Sequence, residues 1–423
     1  MLLKTLPALA IRGGPKAVPD GTVRDWPQID DLDRKLVLES LEGKNHAFGP
    51  NCEAFQTEYA AWNGNKFALT TNSGTAALHM AVAACGCGTA DEVIVPAYSW
   101  SSSATCVLHH SAIPVFVDIE FRTMNLDVSK IEAAISPRTK AIIAVHLHGL
   151  PVDMDPLLAL TRKHGLKVIE DACQAHGALY KGRKVGTLGD CAAFSFNQNK
   201  CLCSGEGGMF VTDNEELLAR ARQLWNFGEH RAPSEKRDFH VHGLGWMYRN
   251  NDLTAAFGRG QLAKLDRNLA RQRENAALLS ELLRGCRGLL IPEEPAGCQS
   301  NWYNYTLRFD QAALGVPGEA RALRDRIVKA LQAEGVPTSV WQAFPLPEMT
   351  VFQAKDGFGL GHPWSHPSAR PVDYAMHQFP AARRHCDSHT GMTMPLRFPN
   401  SADTIRATAL GIRKVLENVE ELP

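Results

Sequence analysis

Two charged side chains follow short apolar segments that are typical of buried β-strands. Asp171 ends the segment 167–171, and Lys200 comes soon after residues 192–196 and just before a group of glycines. Open α/β sheets bind their ligands at the carboxyl ends of such strands. A lysine in that crevice loses hydration, which lowers its pKa and lets its amine form a Schiff base. The alternatives are a lysine that extends to solvent and an aspartate that only caps the next turn.

A third segment, residues 70–78, predicts a strand end, a small polar turn and the start of a helix. The first turn of a helix offers free N–H groups and the positive end of the helix dipole to an anion. Ser73 and Thr75 add hydroxyl groups, and Gly74 lets the backbone approach closely. The segment is therefore a candidate phosphate site. The alternative is that Ser73 only caps the helix.

Together, the three segments supply the three anchors that pyridoxal 5'-phosphate needs. The helix start suits its phosphate, Asp171 suits its protonated ring nitrogen, and Lys200 suits its aldehyde. The sequence has neither a P-loop motif nor the glycine motif of dinucleotide-binding folds, which argues against a nucleotide cofactor. Cys201 and Cys203 are too close in sequence for the usual zinc-binding spacing, so we expect no metal.

The elements that must position these residues form a β-α-β pattern between residues 67 and 212. Runs rich in β-branched and other apolar residues alternate with segments of helix length; the runs are residues 93–95, 113–117, 141–145, 167–169, 192–196 and 209–211. This alternation predicts an α/β fold with a mostly parallel sheet and helices on both faces. A helix that Asp30 or Asp31 caps and Gly43 ends precedes the sheet.

The rest of the chain predicts a second, smaller α+β domain. Helical periodicity from Asp252 to Arg284 indicates one long helix that links the two domains. We also expect a strand at 302–308 and helices near 318–333 and 403–418. Residues 342–373 are rich in Pro, Gly and His and are interpreted as a surface loop near the active site. The expected division is an N-terminal segment, a large domain and a small domain over residues 1–29, 30–265 and 266–423.

The composition limits the classes of partner. The chain has 423 residues, 44% of them hydrophobic, and 45 basic residues balance 45 acidic ones. Without a net charge there is no field to attract nucleic acid or an anionic membrane, and no segment is apolar enough to predict a membrane span. The 11 cysteines are odd in number and irregularly spaced, which indicates reduced thiols in a cytoplasmic protein.

With these segments in place, the sequence resembles the DegT/DnrJ/EryC1/StrS family of sugar aminotransferases, in the fold type I class of pyridoxal phosphate enzymes. The resemblance runs from about Trp26 to Gln261 and more loosely to the end. The motifs that carry it are residues 73–78, 95–100, 145–146, 170–174, 194–196 with Lys200, and 206–208. It implies a large domain with a seven-stranded, mostly parallel sheet flanked by helices, and a smaller C-terminal α+β domain.

The resemblance also implies a role for each matched residue. Lys200 would carry the cofactor, and Asp171 would pair with the ring nitrogen. Trp100 would stack on the ring, and Gln174 would lie beside it. The phosphate would be held at the helix start that Ser73 precedes, by Gly74, Thr75 and Ser195.

One departure from the family concerns a second subunit. The family often has Gly-x-Asn-x-Arg where a neighbouring subunit reaches the phosphate, whereas this chain has Met247 at the Asn position. Either Asn250 or Asn251 replaces that contact, or the contact is missing; we take Asn250 as the candidate cofactor-binding residue. The resemblance implies a homodimer with the active site at the interface.

Within the family, the sequence is most like the branch that aminates cyclitol ketones, through residues 26–27, 175–177, 197–200 and 302–305. This similarity implies that an amino group moves from glutamine or glutamate to a keto-cyclitol or keto-sugar by a ping-pong mechanism. Two alternatives remain. One is a dehydratase or aromatising synthase of the 3-amino-5-hydroxybenzoate type, and the other is a non-catalytic regulatory protein on the same fold.

Overall fold

The computed structural model describes residues 8–230 and 235–423, so residues 1–7 of the predicted N-terminal segment lie outside the described part. The helices are α1 Asp31–Glu42, α2 Pro50–Asn63, α3 Gly74–Ala84, α4 Ser102–Leu108, α5 Ile131–Ala134, α6 Met154–His164, α7 Glu215–Trp225, α8 Asp252–Leu262, α9 Leu265–Leu283, α10 Gln311–Leu314, α11 Ala320–Ala333, α12 Thr350–Ala354, α13 Pro380–Ser388 and α14 Ala402–Glu417. The strands are β1 Phe67–Thr71, β2 Glu92–Pro96, β3 Ile113–Val117, β4 Thr139–Val145, β5 Lys167–Asp171, β6 Leu179–Tyr180, β7 Arg183–Lys184, β8 Cys191–Ser195, β9 Gly208–Thr212, β10 Leu289–Leu290, β11 Cys298–Gln299, β12 Tyr305–Phe309 and β13 His389–Met392. Among the described residues, no helix combines the length and the apolar character that crossing a membrane requires.

Seven strands form one large sheet in the order β1-β9-β8-β5-β4-β2-β3. β9 runs antiparallel to β1 and β8, and the other neighbours are parallel. Each of the six predicted runs falls on one of these strands, so the predicted α/β fold is confirmed. The central strands are buried on both faces, which explains why they are continuously apolar rather than alternating.

The predicted first helix, α1, is also confirmed at its capped end. The Asp30 side chain accepts hydrogen bonds from two N–H groups of the first turn, and Asp33 accepts one in return from the Asp30 N–H. The apolar residues of α1 do not all find a partner within the chain. Leu38 and Leu41 are each 56% exposed. α1 therefore presents apolar surface to its surroundings.

The prediction of one long helix over residues 252–284 is wrong, because the chain forms α8 and α9 there. Between them lies Lys264, whose backbone is not helical (φ −113°, ψ 3°). The buried Lys264 amine turns away to form an ion pair with Asp33 of α1. Both helices bury their apolar faces against the same side of the molecule, so the sequence period continues across a break that a tertiary contact creates.

A three-stranded antiparallel sheet, β10-β12-β13, forms the base of the C-terminal part, and α9, α11 and α14 pack on it. Leu9 and Val18 of the N-terminal segment join the same core. The predicted strand at 302–308 begins only at Tyr305, because Trp302 adopts a left-handed conformation with φ of 58°. The division of the chain at residues 29 and 265 stays a prediction.

Residues 342–373 are packed more closely than the predicted surface loop. Phe352 lies against Phe116 of β3, with ring centroids 5.0 Å apart. Arg370 forms an ion pair with the buried Glu92 at 2.8 Å. The stretch therefore covers β3, the last strand of the large sheet, which would otherwise expose an unpaired edge.

Candidate active site

The ends of two strands and one helix meet at the carboxyl edge of the large sheet. β5 and β8 are parallel neighbours, and Asp171 lies opposite Ala193. α3 begins directly against them at Gly74. A Cβ atom at Gly74 would lie 2.7 Å from the Cβ of Ser195 and 3.0 Å from the Sγ of Cys173. Only glycine lets the predicted phosphate site approach the strand ends this closely.

Asp171 is 5% exposed, and two donors hold its carboxylate. The hydroxyl of Ser103 donates to Oδ2 at 2.6 Å, and the N–H of Cys173 donates to Oδ1 at 3.2 Å. Among the described residues these donors are neutral groups, and no lysine or arginine pairs with the carboxylate. A buried carboxylate without a cation is unfavourable. The site therefore fits a protonated ring nitrogen.

The structure brings Lys200 to the same place. Its charge and that of Asp171 both act on the thiol of Cys173. Burial is the main reason that the pKa of this thiol lies well above 9.0; Asp171 raises the pKa further, and Lys200 lowers it. Cys173 therefore lies near the amine and the carboxylate, and also beside Gly74. The three predicted anchors form one site.

The surroundings of the Lys200 amine are aromatic and neutral. Its Nζ lies 4.7 Å from the centre of the Tyr303 ring, and within the described chain it makes no hydrogen bond or ion pair. Two buried histidines, His148 and His176, lie close enough for its charge to act on them. Burial, with a contribution from Lys200, lowers the pKa of each to about 3. Both imidazoles are therefore neutral at physiological pH.

Hydroxyl groups surround the start of α3. Ser73 accepts the N–H of Ala76 at 3.1 Å, which confirms that it caps the helix. Thr75 Oγ1 lies 2.7 Å from the hydroxyl of Ser102. Ser195 Oγ accepts only a long hydrogen bond, at 3.4 Å, and can still donate. Hydroxyl donors at a helix N-terminus are a donor set that fits a phosphate group.

The three candidates for the departed family contact lie in different settings. Asn250 has a buried Nδ2 with no partner among the described residues, 3.3 Å from where a Cβ of Gly207 would stand. Asn251 instead caps α8 by accepting the N–H of Thr254 at 3.0 Å. Met247 is 50% exposed. Asn250 therefore keeps an unused donor beside the glycine turn that follows Lys200.

The two residues predicted to lie at the ring differ in exposure. Gln174 is buried, and its Oε1 accepts the N–H of His148 at 2.7 Å. Trp100 is 52% exposed, and its ring centroid is 6.1 Å from that of Trp341. Trp341 in turn packs against His148 at 4.9 Å. We refer to Trp100, Trp341 and His148 as the aromatic wall, in which the exposed ring of Trp100 is available for stacking.

The comparison with protein families decides what kind of site this is. The model of the DegT/DnrJ/EryC1/StrS aminotransferase family matches residues 27–362. The chain belongs to this family. It is a fold type I aminotransferase that depends on pyridoxal phosphate, and the predicted family, fold class and cofactor are confirmed.

Named relatives show how close the match is. The aminotransferase is 39% identical to GDP-perosamine synthase of Caulobacter vibrioides over 312 residues, which cover 73% of this chain and 81% of that protein. It is 40% identical to the L-glutamine:2-deoxy-scyllo-inosose aminotransferase of Streptoalloteichus tenebrarius over 309 residues, or 69% and 72% of the two chains. The crystal structure of 3-amino-5-hydroxybenzoic acid synthase superposes with a TM-score of 0.84 at 29% identity, covering 95% of this chain and 100% of that one.

Sequence reasoning missed several neighbours of this aminotransferase site. Ser103 is the third of three serines at the start of α4, a pattern that normally indicates only helix capping. Tyr303 belongs to a run that was interpreted as a strand. Trp341 comes from the C-terminal part and has no local signal, because only the packing of that part against the large sheet brings it to the aromatic wall.

Proposed function

We propose that this aminotransferase moves an amino group from glutamine or glutamate to a keto-cyclitol or keto-sugar in two half-reactions. The observation that carries the proposal is the placement of the Lys200 amine and the Asp171 carboxylate near one thiol, Cys173, at the start of α3. This placement supports binding of one pyridine ring between the two charged groups. When bound, pyridoxal phosphate supplies an electron sink and carries the amino group between the substrates.

Two side chains move or hold protons in this proposal. Asp171 keeps a proton on the ring nitrogen, because a buried carboxylate favours a positive partner. Lys200 anchors the cofactor covalently at rest. Once the amine of the donor has displaced it, Lys200 removes the α-proton of the donor as a base and delivers a proton as an acid. The neutral His148 and His176 add no charge that would compete with these steps.

The remaining predicted residues bind and orient. The first turn of α3 directs its N–H groups and dipole at the phosphate. The side chains and the glycine that would hold the phosphate are Ser73, Gly74, Thr75, Ser195 and Asn250. Trp100 would stack on the ring, and Gln174 would lie beside it.

The proposed acceptor class rests on the relatives and on the aromatic wall. One relative is named an aminotransferase of 2-deoxy-scyllo-inosose with glutamine, and another is named GDP-perosamine synthase. Cyclitols and sugars share a hydroxylated ring whose C–H groups pack on aromatic side chains. Trp100 and Trp341 offer such a surface beside His148, whose buried Nε2 has no partner among the described residues.

A second candidate function is an aromatising synthase of the 3-amino-5-hydroxybenzoate type. The superposition with that synthase over its whole length favours this candidate. Both reactions use the lysine and the aspartate in the same way, and they differ in whether the product is an amine or an aromatic acid. A product assay therefore separates them.

We further propose a homodimer with the active site at its interface. Large apolar side chains on α1 and near Met247 are exposed in the single chain; they are Ile29, Leu32, Leu38, Leu41, Val241 and Leu244. An apolar surface of this kind marks a protein interface. The proposal places α1 and the segment around Met247 in that interface.

The test is a screen of ketone acceptors. Cofactor-loaded enzyme is treated with glutamine or glutamate, freed of the donor, and exposed separately to keto-cyclitols, nucleotide-linked keto-sugars and simple keto acids. We expect the original absorbance of the cofactor to return with a keto-cyclitol or keto-sugar, and the new amine to be found by mass spectrometry. An aromatic product would favour the synthase instead. A response to keto acids alone would contradict both.

A further inference from the structure

The loop that carries Lys200 is held from outside by two residues that the proposed chemistry does not use. Trp26 belongs to the N-terminal segment, and Arg397 belongs to the C-terminal part. The indole N–H of Trp26 donates to the carbonyl of Lys200 at 3.0 Å. The guanidinium of Arg397 donates to the carbonyl of Asn199. These carbonyls belong to the two peptide groups that flank the Cα atom of Lys200.

Trp26 and Arg397 also contact each other. The guanidinium carbon lies 4.7 Å from the centre of the Trp26 ring, which is within the range of a cation–π interaction. The side-chain amide of Gln198 donates to the Trp26 carbonyl at 3.2 Å, so the loop holds the tryptophan in return. We refer to Trp26 and Arg397 as the lysine clamp.

The burial of Arg397 distinguishes it from a surface arginine. It is 2% exposed, and its Nε is buried without a hydrogen-bond partner in the described chain. A rigid turn presents it, because the side-chain amide of Asn275 donates to the carbonyls of Leu396 and Asn400 at 2.9 and 3.0 Å. Burying a guanidinium against a carbonyl and a ring, without a carboxylate, is unfavourable for stability. A role in positioning Lys200 would account for it.

We propose that the lysine clamp fixes the backbone of Lys200 so that its amine is aimed at the cofactor aldehyde; this rests on the proposed role of Lys200. The stem of a lysine is flexible, so the amine is precisely placed only if the backbone beneath it is fixed. The clamp does this from the N-terminal segment and the C-terminal part at once. Trp26 and Arg397 are therefore positioning residues.

Two variants remove the lysine clamp one contact at a time. Trp26→Phe keeps a ring for Arg397 and loses only the N–H donor, whereas Arg397→Gln loses the cation. Each has a matched control outside the clamp. Trp62→Phe loses an indole N–H that bonds to an exposed carboxylate at 3.0 Å. Arg267→Gln loses an exposed guanidinium that lies 4.5 Å from the centre of an aromatic ring.

The first readout is attachment of pyridoxal phosphate to Lys200 in the apoenzyme, followed as visible absorbance in a stopped-flow instrument. We expect the rate constant to fall about tenfold in each clamp variant, as for the loss of one hydrogen bond in the transition state. The double variant falls by less than the product of the two effects, because both contacts act on one loop. Both control variants attach the cofactor at the wild-type rate.

The second readout separates positioning from substrate binding. The kcat falls together with the attachment rate, while the KM for the donor is unchanged. A raised donor KM with normal attachment would assign Arg397 to the donor carboxylate and overturn the proposal. Wild-type attachment and kcat in both clamp variants would also overturn it. If the wild-type enzyme itself did not attach the cofactor at Lys200, the proposed function would fail instead, so the two failures are distinguishable.

Discussion

At the scale of single residues, the candidate site joins groups that were predictable with one group that was not. Asp171 and Lys200 stand out in the sequence because charged residues rarely follow buried apolar strands without a partner. Ser103 does not stand out, because a serine in the first turn of a helix has an ordinary capping explanation. Its hydroxyl reaches Asp171 only because α4 packs beside the end of β5.

Replacing Lys200 with alanine removes the amine that anchors the cofactor and moves the proton. We expect Lys200→Ala to lose the visible absorbance of the attached cofactor and to lower kcat by about a thousandfold or more. Lys163→Ala, which changes an exposed lysine paired with Glu132, is the control and keeps both properties. An unchanged spectrum with bound cofactor in Lys200→Ala would remove Lys200 from its proposed role.

Replacing Ser103 with alanine leaves Asp171 without its closest donor. We expect Ser103→Ala to lower kcat about tenfold, the size of one lost hydrogen bond to a charged group, with little change in the donor KM. The neighbouring Ser101, which makes no capping bond to α4, provides the control variant Ser101→Ala. Equal kinetics of the two variants would show that Ser103 does not position the carboxylate.

At the scale of elements, β5 places two successive carboxylates on opposite faces of the sheet. Asp171 faces the site, whereas Glu170 is buried on the other side. Glu170 accepts hydrogen bonds from His146 at 2.9 Å and from the N–H groups of a turn at residues 186–189. His146 Nδ1 accepts the N–H of Val152, so its Nε2 carries the proton that Glu170 accepts. This network ties the end of β5 to the turn before β8.

The pH dependence of stability tests this network. Burial alone would raise the pKa of Glu170, but the hydrogen bonds from His146 and the backbone outweigh it and keep the pKa below 4.5. A lowered folded-state pKa contributes stability that is present above the unfolded value and is lost as the pH falls through the folded value. We expect Glu170→Gln to lose about 3 kcal/mol at pH 7 in urea unfolding.

The stability difference between Glu170→Gln and the wild type should shrink as the pH falls below about 4.5, because the wild type then loses the contribution of its carboxylate. Glu281→Gln, on the exposed side of α9, is the control and leaves the stability unchanged at both pH values. A difference that stays constant across this range would contradict the assignment.

At the scale of the whole molecule, the two ends of the chain meet at the site. The N-terminal segment shares a core with the C-terminal part, and both reach the Lys200 loop through the lysine clamp. α1, in contrast, leaves apolar side chains exposed, which supports the proposed dimer. Neither arrangement is visible in the local sequence pattern, since each depends on contacts between residues hundreds of positions apart or on a second chain.

Charged substitutions on α1 test the dimer. We expect the double variant Leu38→Lys and Leu41→Lys to shift the enzyme from dimer to monomer in analytical ultracentrifugation, because burying two lysines in an apolar interface is unfavourable. Activity falls with the dimer fraction if the second subunit completes the site. Leu360→Lys, at a leucine that is 98% exposed, is the control and leaves the mass unchanged. A fully active wild-type monomer would rule out the proposed interface.

The sequence by itself determined the order and type of the large-sheet strands, the helix start at Ser73 and the identity of the anchors, because strand burial and helix capping are set by residues close in the chain. It could not decide the break at Lys264, the cover that residues 342–373 place on β3, or the contacts of Ser103, Tyr303 and Arg397. These depend on which surfaces pack together, and a buried charge or an aromatic ring finds its partner across the fold rather than along the chain. Only the tertiary structure therefore shows that the amine, the carboxylate and the helix start surround one site.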